Sequence, residues 1–576
     1  AAGTLTGTTA TDNFVVAGTQ SVAANGTTFN QVTSVIGGDG EDDVQYDSAD
    51  WTIQGTETTS IEGIAFTDVE SINKNNSVGI TNRNLNGTTG QDLLNIEGTN
   101  AISANGITYY GIGSVDALGE TDTVTGSTTW DLLASGFEAF DISFTSVEIA
   151  NSGAAGTLTG TTATDNFVVA GTQSVAANGT TFNQVTSVTA GDGDDDVQYD
   201  STDWTIQGTE TTSIEGIAFT DVESINKNNS VGITNRNLNG TTGQDLLNIE
   251  GTNAISANGI TYYGIGSVDA LGETDTVTGS TTWDLLASGF EAFDISFTSV
   301  EIANSGAAGT LTGTTATDNF VVAGTQSVAA NGTTFNQVTS VIGGDGEDDV
   351  QYDSADWTIQ GTETTSIEGI AFTDVESINK NNSVGITNRN LNGTTGQDLL
   401  NIEGTNAISA NGITYYGIGS VDALGETDTV TGSTTWDLLA SGFEAFDISF
   451  TSVEIANSGA AGTLTGTTAT DNFVVAGTQS VAANGTTFNQ VTSVTAGDGE
   501  DDVQSDSVNW TIEGEKETTV DGIAFSNVES INQFNTKDSE SNDITNRHIN
   551  GTAGLDLLNI EGANTISASG ITYYGI

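Results

Sequence analysis

The sequence predicts an all-β chain folded as a parallel β-helix, or β-solenoid, and three observations lead to that prediction. A stretch beginning AAGTLTGTTATDNFVV starts at Ala1, Ala154, Ala307 and Ala460, so the chain repeats every 153 residues. Each repeat divides again into four similar units of about 38 residues, marked by FNQVTSV, FTDVESI, YYGIGSV and FTSVEIA. Short segments rich in strand formers alternate apolar with polar residues, and Gly, Asn and Asp residues separate these segments.

Units this short cannot each bury a core, but stacked units share one continuous core, which favours a solenoid. Tandem β-sandwich domains are the alternative, although a sandwich gives no reason for a quarter-repeat of about 38 residues. Each unit could form one turn of the solenoid, or two turns of about 19 residues. The repeats span 1–153, 154–306, 307–459 and 460–576, and the fourth is a truncated variant with a five-residue insertion between Asn532 and Asn546.

The dipeptide Asn25-Gly26 admits two interpretations. Asn-Gly between strand-like runs is typical of a type I′ hairpin. A corner of the solenoid, with one residue in the left-handed conformation, also fits. The related positions Glu62-Gly63 and Phe140-Asp141 lack the Asn-Gly pair. We therefore expect a corner here.

Composition excludes several classes of function. The 576-residue chain has 76 acidic and 9 basic residues, a formal charge of -67, which disfavours nucleic acid and anionic membrane surfaces as partners. No apolar run reaches the length of a membrane span, so we expect no membrane insertion. Without cysteine there are no disulfides or thiolate metal sites. His548 is the sole histidine and every acidic cluster is copied, so we expect no enzyme.

The stretch GGDGEDDVQ, from Gly37 to Gln45, fits the calcium-binding nonapeptide G-G-x-G-x-D-x-U-x. It recurs at 343–351, whereas Ala190 and Ala496 replace its first glycine in the other copies. An acidic, solvated turn and a Ca²⁺ site are both compatible with it, because the motif comes once per repeat and never in tandem. The candidate ligands, which Glu41 could join, are Asp39, Asp42, Asp43, Asp192, Asp195, Asp196, Asp345, Asp348, Asp349, Asp498, Asp501 and Asp502.

Seven tryptophans occupy corresponding places in the half-repeats: Trp51, Trp130, Trp204, Trp283, Trp357, Trp436 and Trp510. A packed internal ladder is one interpretation, and a row of exposed platforms that stack on glycans is the other. Asn25, Asn75 and Asn86 match the N-glycosylation pattern, which ordinary Asn and Thr ladders along a solenoid also produce.

At GGDGEDDVQ…WTIQG…SIEGIAFTDVESI the chain resembles the repeats of very large secreted bacterial surface proteins, the filamentous-haemagglutinin-like or repeat-in-toxin-like adhesins. The tail common in those repeats is matched by Ile61, Gly63, Ile64, Phe66, Val69, Glu70 and Ile72. This resemblance covers all four copies. It implies an extracellular, right-handed β-helix that serves adhesion or builds a fibre or surface layer.

Near-identical copies suit a role in which each turn does the same job, so we expect a structural or adhesive fibre or stalk at the bacterial cell surface. The alternatives are a calcium-binding module that folds outside the cell and a surface-layer lattice protein. The expected partners are further copies of the chain, associating end to end or laterally, and surface glycans.

Overall fold

The computed structural model describes residues 2–535 and 544–576 and is a β-solenoid of about 18 turns, with 54% of residues in strands. Part of the predicted insertion, residues 536–543, lies outside the described residues. The chain divides into two units, residues 1–279 with 293–300, and residues 280–292 with 301–576. Each unit is built in the same way, so the first repeat serves to describe both.

Two stacks of strands make up the first repeat. Stack 1 contains, in chain order, Gly3–Thr6, Val32–Ile36, Asp50–Thr52, Thr58–Ile61, Ile64–Thr67, Arg83–Asn86, Ile112–Asp116, Thr129–Leu132, Phe137–Ala139 and Ile142–Thr145. Stack 2 contains Asn13–Gly18, Ser21–Ala24, Thr27–Asn30, Asp43–Gln45, Ser71–Ile72, Leu93–Gly98, Ala101–Ala104, Ile107–Tyr110, Thr123–Thr125 and the first part of Ile149–Thr159. The 3₁₀ helix Lys74–Asn76 lies in the loop after Ser71–Ile72.

Parallel pairing between successive turns sets the register of each stack. In stack 1, Val35 lies beside Leu5 on one side and Phe66 on the other. In stack 2, Val44 lies between Phe14 and Ile72. Equivalent backbone groups on successive turns are about 30 residues apart. The expected turn lengths of about 19 or about 38 residues are therefore both wrong.

Antiparallel reversals interrupt the parallel pairing and explain the quarter-repeat. In stack 2, the chain runs forward through Leu93–Gly98, back through Ala101–Ala104 and forward again through Ile107–Tyr110. In stack 1, Thr129–Leu132, Phe137–Ala139 and Ile142–Thr145 make the same excursion. Each of the four sequence units of about 38 residues thus contains one reversal, and the reversals alternate between stack 2 and stack 1.

The expected corner at Asn25-Gly26 is wrong, because this dipeptide is the turn of a hairpin. Ala24 pairs with Thr27 across it, and both turn residues have positive φ, 48° and 72°. Glu62-Gly63 and Phe140-Asp141 make the same kind of turn, with φ of 52° and 73° and of 52° and 61°. Positive φ at both central residues defines type I′. The reversal on either side stabilises that conformation even where neither residue is Asn or Gly.

The second unit repeats this arrangement. In its stack 2, Val350 lies between Phe320 and Ile378 in parallel register. Its stack 1 contains the reversal of Thr435–Leu438, Phe443–Ala445 and Ile448–Thr451. Some strands that are separate in the first repeat are continuous here, as in Thr333–Ile342 and Thr486–Thr495.

The core lies between the two stacks, because alternate side chains of each strand point inward. Rings from opposite stacks meet there: the centroids of Trp130 and Phe182 are 6.1 Å apart, and those of Phe167 and Phe219 are 6.4 Å apart. Inward residues with at most 1% of their surface exposed include Phe14, Val35, Val44, Phe66, Ile72, Leu85, Leu94, Val115, Val124 and Phe144.

Several corners from stack 1 to stack 2 begin with a glycine, at places where the backbone of the next turn comes very close. A Cβ on Gly393 would overlap the carbonyl oxygen of Ala423 on the next turn. We expect Gly393→Ala to destabilise the fold by about 1–3 kcal/mol, the usual cost of overpacking. Gly324→Ala is the matched control, because a Cβ there would meet no atom within 4 Å. Thermal unfolding followed by circular dichroism compares the two, and equal unfolding temperatures would contradict the steric argument.

Candidate functional site

An acidic residue stands at each corner from stack 1 to stack 2, immediately before the stack 2 strand begins. We call these residues the corner acids. In the first repeat they come in two trios, each made of two aspartates and a glutamate: Asp12, Asp42 and Glu70, then Asp92, Asp122 and Glu148. The GGDGEDDVQ stretch contains one member of the first trio, Asp42.

Corner acids hold the backbone of the turn before them. The N–H of Asp12 donates to Oδ1 of Asp42 at 2.7 Å, and the N–H of Asp42 donates to Oε2 of Glu70 at 2.7 Å. The second trio repeats these bonds at 2.7 and 2.8 Å. Hydrogen bonds from backbone N–H to carboxylate are strong ones, so the corner acids join the successive turns within each trio.

The central acids of the first repeat, Asp42 and Asp122, each have a second oxygen that is buried without a hydrogen-bond partner. Asp42 is 0% exposed and its Oδ2 has no partner. A Cβ on Gly37 would stand 2.6 Å from that oxygen and would overlap the carbonyl oxygen of Asp68, so two acceptors face one small space. The same oxygen has no partner in Asp122, Asp195, Asp348, Asp428 and Asp501.

Burial raises the pKa of these central carboxyls, because water no longer stabilises the charge. The pKa of Asp42 is raised by desolvation, against a lowering from the backbone hydrogen bond of Asp12. For five other central acids desolvation raises the pKa to about 6, and these are Asp122, Asp195, Asp348, Asp428 and Asp501. These five carboxyls therefore take up a proton as the pH falls through about 6.

Asp43, the next residue of the predicted set, organises the loop that follows Ser71–Ile72. Its Oδ1 accepts from the hydroxyl of Ser71 at 3.0 Å and from the N–H of Lys74 at 2.9 Å. Its Oδ2 accepts from the backbone N–H and the side-chain amide of Asn75 at 3.2 and 3.1 Å. Both oxygens of this 1%-exposed carboxylate are thus occupied within the chain.

The predicted calcium ligands therefore divide into three environments: Asp42 holds the corner, Asp43 holds the loop, and Asp39 is exposed. Calcium takes about 6 to 8 oxygen ligands. Within residues 2–535 and 544–576, no three or more acidic or histidine side chains are grouped so as to hold a metal ion. Bound calcium at Asp42 would depend on backbone oxygens such as that of Asp68, and calcium binding stays a prediction.

The tryptophans are packed inside, as the ladder interpretation expects, and the interpretation as exposed platforms is wrong. All seven are at most 5% exposed. Trp130 donates from Nε1 to the hydroxyl of Ser152 at 2.9 Å and meets Phe137 edge to face, with centroids 5.5 Å apart. No indole face is free for stacking on a glycan.

We expect tryptophan fluorescence to resist quenching by iodide in the folded chain, because a quencher must reach the ring. Urea-unfolded chain is the control and should be quenched readily. Strong quenching of the folded chain would contradict the buried arrangement.

Two of the three glycosylation-pattern asparagines have their amides engaged: that of Asn75 with Asp43, and that of Asn86 with the carbonyl oxygen of Trp51. Asn25 is exposed at its hairpin turn.

Sequence reasoning missed Arg83, which is 1% exposed and whose Nη1 donates to the carbonyl oxygen of Tyr110 at 3.0 Å. The signal was present, because all four arginines of the chain fall at this one place in the repeat. It also missed Glu70 as the partner of Asp42, since that pairing depends on the register of the turns.

No family model matches the chain, and no curated protein matches it. Among the described residues, no helix has the length and apolar character needed to span a bilayer.

Proposed function

We propose that this chain is a non-enzymatic structural or adhesive fibre segment of a large extracellular bacterial surface protein. The observation that carries the proposal is the equivalence of the repeats: corner acids, hairpins and buried tryptophans recur with the same geometry in successive copies. Catalysis needs a single constellation, whereas equivalent copies suit mechanical continuity and multivalent attachment.

The charge of the chain supports an extracellular role. A formal charge of -67 keeps copies of the chain apart in dilute salt, and cations or high salt relieve the repulsion. Divalent cations and salt outside the cell would then control lateral association.

Surface exposure tests this proposal. Immunogold labelling of intact cells that make the protein should place the label outside the cell, and a protease added to intact cells should remove it. Permeabilised cells are the control for total protein. Label that appears only after permeabilisation would refute an extracellular fibre.

A second candidate function, a module whose folding depends on calcium, is favoured by one observation. The unpartnered Oδ2 of Asp42 and the carbonyl oxygen of Asp68 face the same space. If folding depends on calcium, we expect circular dichroism to show little strand signal in EDTA. The strand signal should increase when calcium is added, and magnesium is the control. A chain fully β-folded in EDTA contradicts it.

A further inference from the structure

A groove opens in stack 1 beside Trp51, between the strands Asp50–Thr52 and Thr58–Ile61. These strands share no backbone pairing, since Asp50–Thr52 pairs with Arg83–Asn86 and Thr58–Ile61 pairs with Ile64–Thr67. In the other half of the repeat the corresponding strands are joined, Asp131 to Glu138 and Leu132 to Phe137. Edges without a paired strand offer backbone N–H and C=O groups, although the N–H and the carbonyl oxygen of Asp50 already bond to the hydroxyl of Ser48.

A loss of one ring in the open half contributes to the groove, along with one extra residue between Trp51 and Thr59. In the closed half, Phe137 is fully buried and packs edge to face on Trp130. Its counterpart in the open half is Thr59, which lacks the ring. The space beside Trp51 is lined by Tyr46, Ser48, Asp50, Trp51, Thr52, Gln54, Thr59, Ser60, Ile61 and Glu62.

The groove recurs in the second and third copies with corresponding residues, and the three volumes lie between about 200 and about 300 Å³. One polar side chain that lines it has a buried, unsatisfied donor. Trp51 is 5% exposed and its Nε1 has no partner. Buried polar groups of this kind normally have partners.

We propose that this groove binds one neutral, pyranose-sized sugar residue of a glycan. Anions are excluded by the carboxylates of Asp50 and Glu62 and by the charge of the whole chain. A cation cannot accept from an indole or backbone N–H. Hydroxyl groups both donate and accept, so a sugar satisfies the carboxylates and the free donors together.

The size and the polar lining agree with this assignment. At the volume that water occupies in the liquid, ~30 Å³ per molecule, the groove holds roughly 7 to 10 heavy atoms, and one ring of bonded atoms packs more tightly. Tyr46 donates to Glu62 at 2.6 Å, and Thr19 donates to the other oxygen at 2.6 Å, so this carboxylate is fixed in place. Hydrogen bonds from Thr19 and Tyr46 lower the pKa of Glu62 and keep it ionised.

This inference rests on the groove and does not depend on the fibre. The probes are methyl glucoside, methyl mannoside, methyl galactoside and N-acetylglucosamine, with choline and glucuronate as the cationic and anionic comparators. Saturation-transfer NMR and isothermal titration should detect a neutral sugar on the full chain, with a stoichiometry near three. Binding of choline or glucuronate alone, or of no probe up to its solubility limit, would overturn the proposal.

Variants separate the groove from the rest of the surface. The set Thr59→Phe, Thr212→Phe and Thr365→Phe restores the ring found in the closed half, and should abolish binding while raising the unfolding temperature. The set Asp50→Asn, Asp203→Asn and Asp356→Asn should weaken binding about tenfold, the cost of one hydrogen bond to a charged group, and the fourth copy already has Asn509 there. Glu138→Gln, Glu291→Gln and Glu444→Gln in the closed halves are the control. Equal binding by wild type and the phenylalanine set would overturn the assignment.

Discussion

The chain is expected to unfold at a higher temperature at pH 5 than at pH 7. Five central acids have a pKa raised from 3.8 to about 6 in the folded chain. The folded chain therefore takes up protons as the pH falls through 6, where the unfolded chain does not. Stability rises with that uptake, by about 1 kcal/mol per carboxyl between pH 7 and pH 5, until the unfolded carboxyls also protonate near their ordinary pKa.

Asparagine substitutions separate this effect from general charge repulsion, which also weakens at low pH. We expect Asp195→Asn, Asp348→Asn and Asp501→Asn together to raise the unfolding temperature at pH 7 and to flatten its pH dependence. The amide oxygen keeps the hydrogen bond from the preceding turn, and the unsatisfied charge is gone.

The matched control removes the same number of charges from the same corners: Asp192→Asn, Asp345→Asn and Asp498→Asn, all exposed. Thermal unfolding measured across pH compares the two sets. Equal effects of both sets would contradict a specific role for the central acids.

Truncation of Trp130 has the second large expected effect. The side chain is 0% exposed, and its ring meets Phe137 and Phe182 with centroids 5.5 and 6.1 Å away. We expect Trp130→Ala to cost about 3–5 kcal/mol, the usual range for removing a buried aromatic ring. Urea unfolding followed by circular dichroism measures the loss, with the transition of the first repeat expected to move most.

Trp130→Phe is the companion variant. It keeps an aromatic ring but loses the 2.9 Å hydrogen bond from Nε1 to Ser152, so about 1 kcal/mol of its cost is polar. An alanine variant no less stable than the phenylalanine variant would contradict the packing account.

The solenoid class could be predicted from the sequence because the repeat, the strand formers and the lack of a self-sufficient unit all point to stacking. The turn length could not. Each unit of about 38 residues contains a backward strand such as Ala101–Ala104, which adds residues without advancing the turn. The hairpin at Phe140-Asp141 was missed because its two residues seldom adopt positive φ unless neighbouring strands enforce it.

The sequence identified residues of the candidate site but not the contacts that they make. A motif identified Asp42 and Asp43 as candidates. In the structure Asp42 lies at a corner and Asp43 contacts the loop after Ser71–Ile72. Their separate tasks depend on contacts with Glu70 and Asn75, which lie 28 and 32 residues further along the chain. No local pattern encodes such a contact until the register of the turns is known. The groove beside Trp51 could not be predicted, because it becomes evident only when the equivalent positions of Thr59 and Phe137 are compared in the structure.

The central claim is that equivalent repeats build a surface fibre, and fibre length tests it most directly. Electron microscopy should compare cells that make the full chain with cells that make a chain lacking residues 154–306, one whole repeat. We expect surface filaments in both, shorter in the deletion by a constant amount per chain. Filaments of unchanged length, a two-dimensional lattice, or no structure outside the cell would contradict it.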